Sequence, residues 1–190
     1  MFDGKFRTPV DKAVKPVGNA LRRTGLTPDH LTVLGLLVGI GAAVAIGSGR
    51  LLLGLFLVVL AALPDLLDGA LAKASDSSSQ RGAFFDSTVD RVTDAFLLGG
   101  IAWYLASEES PHMALLPFAV MAVSSSISYE RAKAESLGIE AKGGLMERAE
   151  RIIAICLGLL VPVLLIPILW MMLVLTTITA VQRFVKVWKQ

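Results

Sequence analysis

Four carboxylates gather in one short stretch of the chain: Asp65 and Asp68, then, after a polar turn, Asp86 and Asp90. If the flanking segments are helical, Asp65 and Asp68 share one face at i, i+3, and Asp86 and Asp90 share another at i, i+4. The linking turn, Ser75-Asp76-Ser77-Ser78-Ser79-Gln80-Arg81, would then bring the two pairs opposite each other. Like charges in one pocket repel, and a multivalent cation relieves the repulsion; all-oxygen ligation suits Mg²⁺, Mn²⁺ or Ca²⁺. Gly69, Ala72 and Gly82 keep the acidic faces open to a bulky ligand, and Lys73 and Arg81 add positive charge at the same end. Metal, basic side chain and bare backbone together describe a site for a phosphate or diphosphate.

The surrounding chain is built for lipid. Of 190 residues, 54% are hydrophobic and 18% charged, and the mean hydropathy is +0.67. Soluble domains carry more charge and less apolar mass. The expectation is an all-α integral membrane protein of one domain over residues 1–190. Carboxylates in such a chain are costly unless they face a polar cavity with partners, which makes the acidic stretch a functional candidate. The lone cysteine, Cys156, lies in an apolar run and reads as a packing residue. The N-terminus does not read as a secretory signal, because its first apolar run follows about thirty mixed residues.

Residues 3–25 place Phe6, Val10, Val14, Val17 and Leu21 at helical spacing, with Lys5, Arg7, Lys12, Lys15, Arg22 and Arg23 on the other surface. That is the profile of an amphipathic helix lying on anionic headgroups. No aromatic interleaving supports a nucleic-acid reading of the same cluster. Gly25 closes this helix and Thr27-Pro28-Asp29 opens the next. Six spans are then expected, at about 30–49, 51–73, 82–106, 113–137, 145–163 and 167–186, with Pro162 and Pro167 breaking the long uncharged run between Ile152 and Gln182.

Even-numbered span ends share a side, and that side collects seventeen of the eighteen Lys and Arg residues, leaving Arg50 opposite. The positive-inside rule assigns both termini and the four carboxylates to the cytoplasmic face of the cell membrane. On that face lies a second constellation: Arg131 and Lys133, Arg148 and Arg151, and Arg183, from three different spans. Any one of them reads as ordinary snorkelling. Five beside the acidic site indicate a pocket for a phosphorylated substrate, and Arg148 and Arg151 sit in a first helical turn, where free N–H groups favour anions.

The acidic stretch resembles the signature of the CDP-alcohol phosphotransferases, D-x-x-D-G-x-x-A-R followed by G-x-x-x-D-x-x-x-D. Asp65, Asp68, Gly69, Ala72, Gly82, Asp86 and Asp90 stand in register, and Lys73 replaces the usual arginine. Lysine keeps the charge but lacks the bidentate fork. Ser128-Tyr129-Glu130-Arg131-Ala132-Lys133-Ala134-Glu135, Gly143-Gly144-Leu145-Met146-Glu147-Arg148-Ala149-Glu150-Arg151, Thr24-Gly25-Leu26-Thr27-Pro28-Asp29 and Val181-Gln182-Arg183 extend the resemblance to the phosphatidylinositol phosphate synthases of actinobacteria over nearly the whole chain. Two departures are the exchanged basic types at Arg131 and Lys133, and Ala149 in place of proline.

The resemblance implies transfer of a phosphatidyl group from CDP-diacylglycerol to a hydroxyl of inositol phosphate, releasing CMP. It implies two divalent ions, Mg²⁺ or Mn²⁺, on Asp65, Asp68, Asp86 and Asp90, with Asp90 also the general base. Asp29, Thr32, Gly69, Ala72, Lys73 and Gly82 would cradle the CDP-lipid; Arg131, Lys133, Arg148, Arg151 and Arg183 would take the acceptor phosphate. A homodimer is expected from the family alone. Asp76 and Asp94 are left solvated or ion-paired.

Two rival readings remain. The acceptor could be glycerol 3-phosphate, though that pocket would not need five basic residues. A divalent-cation transporter would need polar residues through the bilayer, yet Leu51–Leu60 and Ala95–Trp103 are almost wholly apolar. His30 reads as interfacial and His112 as an outer-loop residue. Trp103, Trp170 and Trp188 read as belt or packing aromatics.

Overall fold

The computed structural model describes residues 27–74, 79–141 and 143–190, with side chains throughout except at 64–74. The expected surface helix at 3–25 and residues 75–78 of the acidic turn lie outside the described residues. Every regular element among the described residues is helical: α1 Pro28–Gly47, α2 Leu51–Ala74, α3 Gln80–Glu108, α4 Leu115–Ser136, α5 Arg148–Leu160 and α6 Leu165–Trp188, with single 3₁₀ turns at Pro111–Ala114 and Pro162–Leu164.

Local chemistry sets the helix ends. Thr27 caps α1: its side chain accepts from the His30 N–H at 3.3 Å, and His30 Nδ1 accepts from the Thr27 N–H at 3.4 Å. This reciprocal box gives His30 a capping role that its expected interfacial position did not foretell. Gly49, at φ 77°, turns the chain from α1 into α2. Ser79 caps α3 by accepting from the Gly82 N–H at 3.0 Å. The break before the last helix falls at Val161–Pro162; Pro167, expected to share in it, sits in the first turn of α6, where a proline removes no needed hydrogen bond. The fifth helix is shorter than the expected 145–163. Its start is delayed to Arg148 because Gly143, at φ 97°, and the following residues form a non-helical strap. Thr179 Oγ1 on α6 pins that strap by accepting from the Leu145 and Met146 N–H groups at 3.1 and 3.0 Å.

The helices close into a ring. α1 packs on both α2 and α3, α3 on α4, α4 on α6, α6 on α5, and α5 back on α2. The α1–α3 contact is parallel and very close. A Cβ on Gly39 would meet Thr93, one on Gly100 would meet the Ala43 backbone, and one on Gly47 would meet the Trp103 ring. Small residues allow this approach, as they do between membrane helices. Inside the ring, Ile46, Ile101, Leu105, Val120, Leu159, Leu165, Leu169 and Met172 are buried. Outside it, Leu37, Leu52, Phe56, Leu115 and Val163 are exposed, an apolar exterior that water would not tolerate over this extent. Among the described residues, three helices are long and apolar enough to cross a membrane: α1, α4 with its preceding turn, and α6 with its preceding turn.

Candidate active site

Helix α3 carries a line of carboxylates, Asp86, Asp90 and Asp94, each one turn beyond the last. Burial deepens along the line: Asp86 is half-buried, and the side chains of Asp90 and Asp94 are 17% and 10% exposed. Asp65 and Asp68 lie on α2, three residues apart. Their side chains, with those of Gly69, Ala72 and Lys73, lie outside the described residues. The α1–α3 register extends the site to a third helix. Gly39 faces Thr93 and Ala43 faces Gly100, so Thr32 and Asp29, further toward the α1 start, fall near the level of Asp86. Thr32 is buried and its hydroxyl donates to the Pro28 carbonyl at 3.2 Å. Among the described residues, a Cβ on Gly82 would meet Ser79 Oγ alone.

The basic residues divide into three groups. Arg148 and Arg151, in the first turn of α5, reach across the ring to α3. Arg148 Nη1 meets Asp90 Oδ1 at 2.9 Å and its Nε meets Asp94 Oδ1 at 3.3 Å, while Arg151 Nη2 meets Asp94 Oδ2 at 2.7 Å. Arg183, buried on α6, gathers three separate pieces of chain. It donates to the Ile127 carbonyl at 2.9 Å, to the Gly143 carbonyl at 2.9 Å and to Glu147 at 3.3 Å. Arg131 pairs with Glu135 on its own helix at 2.9 Å, and Lys133 is exposed beside it.

Arg91 and Thr179 went unassigned in the sequence reading, and Asp94, expected to be solvated or ion-paired, is ion-paired. Asp94 is buried between two arginines, and its i+4 spacing from Asp90 was the available signal. Arg91 joins α3 to α4 by donating to Ser128, and lies 3.6 Å from Asp90. Thr179 had no signal at all, being a hydroxyl in an apolar run.

The donor set fits hard divalent cations. Asp86 and Asp90 offer carboxylate oxygens from one face of α3, and Asp65 and Asp68 are spaced to do the same from α2. Three-ligand clusters are absent among the described residues, which exclude the α2 carboxylates. Beside the acids, α1 and α3 enclose an elongated apolar groove of about 560 Å³, with Arg91 at one end, Trp103 at the other, and Ala43, Val44, Ala95, Phe96, Gly99 and Gly100 between. A charged head at the carboxylate end and an apolar body along the groove is the shape of a lipid.

The sequence matches the model of the CDP-alcohol phosphatidyltransferase family over residues 25–186. The chain belongs to this family. Among CDP-alcohol phosphatidyltransferases it is similar to the phosphatidylinositol phosphate synthase of Mycobacteroides abscessus, at 38% identity over 77% of this chain and 68% of the relative. The archaetidylinositol phosphate synthase of Methanothermobacter thermautotrophicus is 34% identical over 98% of this chain and 94% of the relative. Of solved structures, the phosphatidylinositol phosphate synthase of Mycobacterium tuberculosis with CDP-DAG bound superposes with a TM-score of 0.87 at 33% identity, covering 93% of this chain and 94% of the other. The same Mycobacterium tuberculosis enzyme in complex with manganese and citrate gives a TM-score of 0.86 at 33% identity, covering 92% of this chain and 88% of the other. Like its relatives, the chain is an enzyme of the CDP-alcohol phosphotransferase type.

Proposed function

We propose that this membrane enzyme transfers the phosphatidyl group of CDP-diacylglycerol to a hydroxyl of inositol phosphate, giving phosphatidylinositol phosphate and CMP. The observation that carries the reading is the full-length likeness to a synthase solved with CDP-DAG bound, together with the signature acids standing in register on α2 and α3. The names of the bacterial and archaeal relatives share the inositol phosphate and differ in the lipid, which supports the acceptor more directly than the acyl chains.

Asp65, Asp68, Asp86 and Asp90 would hold two divalent ions, Mg²⁺ or Mn²⁺. When bound, these neutralise the diphosphate and stabilise the departing CMP. Asp90 accepts the proton of the attacking hydroxyl, and Arg148 Nη1, 2.9 Å from its Oδ1, holds that carboxylate in place. Asp29, Thr32, Gly69, Ala72, Lys73 and Gly82 line the cytidine diphosphate. The α1–α3 groove takes an acyl chain. Arg131, Lys133, Arg148, Arg151 and Arg183 form the acceptor-phosphate side. They stand on or beside α4, α5 and α6.

The whole chain is read as one domain of six membrane spans behind an amphipathic surface helix, in the cell membrane, with both termini and the active site cytoplasmic. Helix α5, at 13 residues, is about 20 Å long, less than the hydrocarbon thickness of about 30 Å. It would therefore need its turn and strap to complete a crossing. A homodimer is part of the same reading.

Turnover in detergent with CDP-diacylglycerol and Mg²⁺ tests the assignment, comparing inositol phosphate, free inositol and glycerol 3-phosphate. Turnover with inositol phosphate alone is expected. Turnover with glycerol 3-phosphate alone would overturn the acceptor and leave the reaction class standing.

A further inference from the structure

Helices α3 and α5 are not neighbours in the ring, yet the proposed base and two of the proposed acceptor arginines come from these two helices. Side chains must therefore set the distance between them. The arrangement of Asp94 does this. Its Oδ1 takes Arg148 Nε at 3.3 Å and its Oδ2 takes Arg151 Nη2 at 2.7 Å, so one carboxylate orients both guanidinium groups. A guanidinium is a rigid planar fork. Once Nε of Arg148 is held by Asp94, its Nη1 can be directed to Asp90, where it lies at 2.9 Å.

We propose that Asp94 is a positioning residue of the transfer: it holds Arg148 and Arg151 at the acceptor side of the pocket, in fixed register with Asp90. This rests on the function proposed above. Asp94 lies outside the eight-position signature, and both of its carboxylate oxygens are taken up by the two arginines, through which it acts. A purely structural ion pair would be a poor explanation for its place. A buried pair often contributes little net stability compared with apolar side chains of similar size, and here the Arg151 side chain is 5% exposed and that of Asp94 10%. Removing the carboxylate would leave Arg151 buried without this partner and free Nε of Arg148. Arg148, at 26% exposure, could then swing toward solvent or close more tightly on Asp90. Either movement displaces the acceptor phosphate while leaving the cytidine side, on α1, α2 and the start of α3, undisturbed.

The test is steady-state kinetics on purified full-length enzyme, using whichever of inositol phosphate and glycerol 3-phosphate the unsubstituted protein turns over. A wrong acceptor assignment thus shows in the unsubstituted protein and leaves the Asp94 comparison intact. Asp94→Asn is expected to raise the acceptor KM at least tenfold, with the CDP-diacylglycerol KM within twofold. The rise in melting temperature that the acceptor gives the unsubstituted protein should vanish. The double variant Asp94→Asn/Arg148→Gln should show an acceptor KM well below the product of the two single effects, because both act on one arginine. If Asp94→Asn does not fold, Asp94→Glu decides. It keeps the charge but shifts the arginines by a methylene, and should raise the acceptor KM severalfold with the lipid KM unchanged. Loss of folded protein with both KM values unchanged, or single effects that multiply in full, would overturn the proposal.

Discussion

Gly100 of α3 lies directly against Ala43 of α1: a Cβ at position 100 would stand 2.4 Å from the Ala43 carbonyl oxygen. The obstruction is backbone, so no side chain can turn aside to relieve it. Gly100→Ala must push the two helices apart, at a cost of about 1–3 kcal/mol or more as for other overpacked sites. The expected outcome is a lower melting temperature in detergent and a weaker CDP-lipid KM, since the same pair of helices walls the apolar groove. An unchanged melting temperature would count against the close α1–α3 packing.

Asp90→Asn should abolish turnover, by a factor on the order of 10²–10⁴ or more, as expected when a general base is lost. CMP or CDP-lipid binding should persist, because Asp65, Asp68 and Asp86 remain. Isothermal titration of the variant with nucleotide separates the two outcomes.

Thr179→Val keeps the shape of the side chain but removes the oxygen that accepts from the Leu145 and Met146 N–H groups. Each N–H left buried without a partner costs about 1–3 kcal/mol. The strap that leads into Arg148 should loosen, giving a lower melting temperature and a higher acceptor KM. Melting curves and acceptor titrations with the lipid held saturating check both.

Arg183→Lys tests the clamp on α6. Lysine cannot reproduce a fork that reaches the Ile127 and Gly143 carbonyls together. One carbonyl should lose its partner, at a cost of about 1–3 kcal/mol, and acceptor affinity should fall. Near-native stability and acceptor KM would show that the point charge alone matters.

Chelation with EDTA should stop turnover completely, and Mg²⁺ or Mn²⁺ should restore it. Recovery with neither ion would contradict the carboxylate-held metal site.

Much of this architecture can be read from the chain alone, for reasons specific to certain residues. The helices announce themselves through long apolar runs bounded by Thr27-Pro28, Gly49 and Pro111-His112. The acids of α3 follow from a spacing of four. The limits of that reading are equally physical. Asp94 shares the same spacing, but its two arginine partners are more than fifty positions away, and local pattern carries no information about such pairings. The shortened α5 depends on a hydroxyl at Thr179, more than thirty residues further on. Arg183 shows its charge in the sequence but not the two backbone carbonyls that occupy it.

The groove between α1 and α3 is walled on its flank by Val44, Phe96 and Trp103, all of them exposed on the outer surface of the ring. A lipid seated there can slide in from the surrounding leaflet and leave the same way, its tails never crossing water. Supply of the donor is then a two-dimensional encounter. The quantity that the enzyme senses is the mole fraction of donor in the bilayer, so diluting it with inert lipid should slow the reaction at constant bulk concentration.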